Sequence, residues 1–126
     1  MLTTLALAGA CDTADDRPAS WSYIYTAIVE PSCATAGCHS QHGAEAGIDL
    51  STRTGAYTIL TGRRCGEPPR PTDPPGNYVF PSSPERSKLM YLLRGEDVGV
   101  MPPDQPLPAV EIELVERWIL EGASCD

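Results

Sequence analysis

Seven consecutive residues stand out for the chemistry that their types and spacing allow: Cys33-Ala-Thr-Ala-Gly-Cys38-His39. Two thiols followed at once by an imidazole can add to the two vinyl groups of a haem while the adjacent histidine reaches the iron. The usual spacer between such cysteines is two residues, and here it is four. Ala34, Ala36 and Gly37 are small enough to let the extra backbone bulge without meeting a porphyrin. Two other chemistries stay open. Zinc has four possible ligands in Cys33, Cys38, His39 and His42, although structural zinc sites normally draw two separated ligand pairs from different elements. A local Cys33–Cys38 disulfide is the other.

A further candidate is Met101, followed by Pro102 and Pro103. A thioether suits the sixth position of low-spin haem iron and raises the reduction potential relative to a second imidazole. A methionine can equally fill core space, and Met90, inside a helical pattern, is read that way. Met101 lies instead in an irregular Gly/Pro-rich stretch, where packing gives little reason for a long apolar side chain. The prolines after it stiffen the loop that would present the sulfur. His42 is too close to His39 to reach the opposite face of a haem and reads as a solvated loop residue.

Four helical stretches are expected to position these groups. The first starts after Ser20 as N-cap, carries Trp21, Ile24, Tyr25 and Ile28 on one face, and is expected to end at Pro31. The second runs over about 52–60, with Ala56, Tyr57 and Leu60 on one side and Gly62 as stop. The third has Ser83 as N-cap and Pro84 at its first position, with Leu89, Leu92 and Leu93 before Gly95. The fourth runs from Pro108 to Glu121 with an apolar stripe of Val110, Leu114, Val115, Trp118 and Ile119. Tyr78-Val79-Phe80 offers one short extended segment, and no stretch alternates as a strand of a sheet does. The prolines over 61–81 exclude a helix there. The fold class is therefore all-α, with about four helices and long Pro/Gly-rich loops.

The pieces together resemble class I c-type cytochromes, and more closely the exported bacterial planctomycete-type cytochrome c domains. The resemblance covers about 21–123. It rests on the Cys33 to His39 segment, Ala46 to Ser51, Ala56-Tyr57 with Leu60, Pro81 to Leu93, Met101-Pro102, and Glu111 to Ala123 around Trp118. It implies a mono-haem class I cytochrome c fold in which Cys33 and Cys38 attach haem c, His39 and Met101 ligate its iron, and the first and last helices cross beside it. The four-residue spacer and the Pro-rich insertion depart from the pattern.

Composition bounds the rest. A net charge of −8 disfavours nucleic acid and anionic lipid surfaces and makes a basic protein partner easier to accommodate. Only 6% of residues are aromatic, so a core without a cofactor lacks large flat groups. Residues 1–19 read as a leader and polar tether, with small residues before Cys11 as in a lipoprotein signal. Lipidation at Cys11 and cleavage by an ordinary signal peptidase are both open, and the segment is too short to span a bilayer. Residues 20–126 form one domain. Cys65 and Cys125 have no ligand partners nearby, which makes a mutual disulfide the economical reading and two free thiols the alternative. The expected function is periplasmic or membrane-anchored electron transfer between redox proteins, without catalysis. Two rivals are a peroxidase-type haem enzyme with an open distal site and a non-redox, disulfide-held binding module.

Overall fold

The computed structural model describes residues 16–68, 70–71 and 78–126. The expected leader, the candidate lipidation site at Cys11 and part of the Pro-rich loop lie outside them. Among the described residues the chain is helical, with no strand. Helix α1 is a continuous run over 21–32, α2 is Arg53–Thr61, α3 is Lys88–Arg94 and α4 is Ala109–Leu120.

α1 begins as expected: the Ser20 hydroxyl accepts the Tyr23 amide at 3.4 Å. Trp21, Ile24, Tyr25 and Ile28 are all buried, and Val29 joins them. The helix does not stop at Pro31. It widens into a π-helical turn over Tyr25–Val29, in which the Glu30 amide reaches back to the Tyr25 carbonyl, and a fresh turn, Glu30–Ser32, follows. Pro31 thus sits near the start of a turn, where its missing N–H is tolerated. α2 matches its expected position, with Thr52 capping the Gly55 amide at 3.2 Å and Gly62 closing the helix in the left-handed region.

The third helix is shorter than expected. Pro84–Arg86 forms a separate 3₁₀ turn, Ser83 makes no side-chain cap, and α3 begins only after Ser87. The Ser87 hydroxyl explains the break. It is fully buried, accepts the Phe80 amide at 2.9 Å and donates to the Ser83 carbonyl at 2.9 Å, so it serves the loop in place of the helix. Tyr78 and Val79 both donate to the Leu60 carbonyl, at 3.3 and 2.9 Å, without forming a strand. In α4, Leu114, Val115, Trp118 and Ile119 are buried, but Val110 is 43% exposed. Val110 lies in the first turn, and the stripe that faces the core begins beyond it.

The helices meet through aromatic rings. α1 packs on α4 and α3 packs on α4. Trp21 stacks on Trp118 with centroids 5.1 Å apart, and Tyr57 meets both rings edge-on at 5.7 and 6.4 Å. Each polar edge is satisfied: Trp21 Nε1 donates to the Arg53 carbonyl, Trp118 Nε1 to Ser124 and Tyr57 Oη to Ala123. The aromatic residues are few, but both tryptophans meet where the first and last helices touch. The Cys65–Cys125 disulfide is formed and closes 60 residues of chain. Beside it, Asp126 receives the Ser22 amide at 2.8 Å and its hydroxyl at 2.6 Å, clasping the start of α1.

Candidate functional site

α1 delivers Cys33 into the site. The Val29 carbonyl accepts two amides, from Cys33 at 2.8 Å and from Ala34 at 3.0 Å, which turns the chain out of the helix. A turn from the Cys38 amide to the Thr35 carbonyl and a bond from the His39 amide to the Cys33 carbonyl, both 3.0 Å, then close a small ring of backbone. Within the spacer Gly37 adopts φ +83°, a conformation side-chain-bearing residues rarely take. Gly43 packs against the same turn, where an added Cβ would lie 2.7 Å from the Cys38 carbonyl oxygen. The four-residue spacer is therefore a defined, hydrogen-bonded bulge.

His39 is half-buried and held by a backbone group. Its Nδ1 lies 3.2 Å from the Ile48 carbonyl oxygen. A carbonyl only accepts, so this contact places the proton on Nδ1 and leaves the Nε2 lone pair for a metal. The support extends further. The Leu50 amide donates to the His39 carbonyl at 2.7 Å, and the buried Tyr25 hydroxyl donates to the Leu50 carbonyl at 3.1 Å. Burial, together with Glu30 and Asp49, raises the Tyr25 phenol above its ordinary value, so it remains a donor.

Met101 arrives from the other half of the chain. Its amide hangs on the Leu92 carbonyl of α3 at 2.8 Å, and its side chain is 36% exposed. Met90, by contrast, is 1% exposed and belongs to the core. One cleft of about 360 Å³ is lined by Cys33, Cys38, His39, Met101 and Pro102, and also by Glu45. The four residues singled out in the sequence thus come together. Cys33 also borders a small cavity of about 40 Å³ with wholly apolar neighbours, among them Ile28, Val29, Leu89 and Leu93.

The rival chemistries are placed as well. Cys33 and Cys38 are free thiols, so the local disulfide is not formed. Among the described residues no three His, Cys, Asp or Glu side chains gather as metal ligands, and His42 is exposed on its loop. Burial, with Cys38 nearby, pushes the Cys33 thiol up to about 11, so it carries its proton at neutral pH. Two thiols, an imidazole with Nε2 available and a thioether around one cleft form a donor set that fits a covalently attached haem. Glu45 and the Ile48 carbonyl were not legible beforehand. Glu45 is an ordinary loop acid in the sequence, and a backbone carbonyl has no residue type to read. No family model, curated protein or solved structure matches the chain.

Proposed function

We propose that the chain is an exported electron-transfer protein with a class I cytochrome c fold over 20–126 and one haem c held through Cys33 and Cys38. The observation that carries the reading is the single cleft shared by Cys33, Cys38, His39 and Met101. Bound there, the haem supplies a one-electron iron couple. The chain supplies everything around it. Both thiols tether the group, His39 offers Nε2 because the Ile48 carbonyl occupies Nδ1, and Met101 offers its sulfur. Ile28, Val29, Leu89 and Leu93 keep water from the Cys33 side. The disulfide fits an oxidising compartment, in line with export and an anchor at Cys11.

The test is a visible spectrum after expression with a cytochrome c maturation system, followed by acid–acetone extraction. The expected result is one haem per chain, low-spin, with the colour retained on the polypeptide. A colourless product, or haem that leaves on extraction, overturns the reading. A high-spin ferric spectrum favours the peroxidase-type rival, for which Glu45 in the cleft is the supporting observation.

A further inference from the structure

The negative charge of this protein is not spread evenly along its sequence. The segments 18–52 and 95–115, which build the cleft, carry eight acids and neither Lys nor Arg: Glu30, Glu45, Asp49, Glu96, Asp97, Asp104, Glu111 and Glu113. The rest of the chain carries nine acids and nine bases, so the whole net charge of −8 belongs to these two segments. Beside the cleft, and sharing Cys38, Pro102 and Pro103 with it, runs a groove of about 430 Å³. Pro31 and Thr35 form one wall, and Pro106, Leu107 and Pro108 form the other. Asp104 and Glu111 are its charged residues, both acidic. Apolar surface continues outward at Val110, which is 43% exposed.

We propose that this groove and its acidic margin are the docking surface for the lysine-rich face of a redox protein. The proposal rests on the reading of the cleft as an electron-transfer site. Charge complementarity selects the occupant: a groove lined by Asp104 and Glu111 and by no Lys or Arg attracts a basic surface and repels an acidic one. The prolines suit a docking wall because rigid backbone loses little freedom on contact. Contact here brings the partner against Cys38, Pro102 and Pro103, which border the cleft. Weak, fast and salt-sensitive association follows, as a shuttling carrier requires.

The experiment is an NMR titration of the reduced holoprotein with tetralysine as a stand-in for the basic face. Amide shifts are expected to concentrate at 31–38 and 102–111 and to vanish at high salt. Asp104→Asn with Glu111→Gln should weaken the apparent affinity at least about threefold at low salt. Glu85→Gln with Glu121→Gln, which removes the same charge from exposed positions elsewhere, should leave it within error. Shifts scattered evenly over the surface, or equal losses in the two double variants, overturn the proposal. A colourless protein would sink the electron-transfer reading separately, and the visible spectrum shows that before the titration starts.

Discussion

In the proposed haem site His39 and Met101 would share ligation unequally. His39 is fixed through Ile48 and, one step back, through Leu50 and Tyr25, whereas Met101 is anchored by its own amide and leaves its side chain partly in solvent. In the holoprotein Met101→Ala should therefore keep the covalent haem, lose the ferric sulfur-to-iron charge-transfer band and lower the potential. Met90→Ala should leave the spectrum alone and cost about 2–5 kcal/mol in a denaturant melt. Loss of the band in Met90→Ala would show the ligand to be misassigned. Cys33 gives a pH signature in the haem-free protein. Its thiol lies near 11 in the fold against an ordinary 9.0, so the unfolded chain ionises first. Stability from this residue is complete below pH 9 and falls between about 9 and 11. Alkylation of Cys33 should quicken about tenfold per pH unit over the neutral to alkaline range, because only the thiolate reacts. A rate that levels off near pH 8 would contradict the buried setting. At this scale residue type was enough to single out Cys33, Cys38, His39 and Met101, which line one cleft. It was silent on the Ile48 carbonyl and on the close approach at Gly43.

Helix starts and apolar faces were legible in α1, α2 and α4, because caps and periodicity are local. The misreadings came from tertiary bonds. Ser87 leaves the helical pattern to serve Phe80 and Ser83, and Pro31 opens a fresh turn behind a π-helical one whose widening has no signature in residue type. Covalent closure was legible from elimination, and it sets an energetic expectation. Replacing Cys65 and Cys125 by Ser frees a 60-residue loop and should lower stability by roughly 4 kcal/mol. Unchanged urea midpoints in that variant would mean the bridge adds nothing to the fold. The clasp at the start of α1 adds a weaker, titratable part. Burial raises the Asp126 carboxyl, but the Ser22 hydroxyl and amide outweigh it and hold it below the usual carboxylate range. Its contribution is present above the ordinary carboxylate pKa and disappears as pH falls through the lowered value. Asp126→Asn should then differ from the parent at neutral pH, and the two melting curves should converge in acid.

Over the whole molecule, a core with few aromatic residues is economical only because Trp21, Tyr57 and Trp118 meet at one point. Trp118→Ala should cost about 3–5 kcal/mol, more than truncating any exposed apolar residue such as Leu120, and a paired denaturation series would show the ranking. An all-α domain was readable from the pattern of helices, whereas the meeting of its two ends was not, since nothing local marks Ser22 and Asp126 as neighbours. Their contact gives the domain a polarity. α1 enters beside the Ser22–Asp126 clasp and leaves at Cys33, so its 12 residues set the two about 18 Å apart along its axis. Residues 20 and 126 therefore both lie at the pole away from the cleft. A tether, a tag or a fused domain attached at either end would act as a handle at the back of the molecule, leaving its working face turned outward.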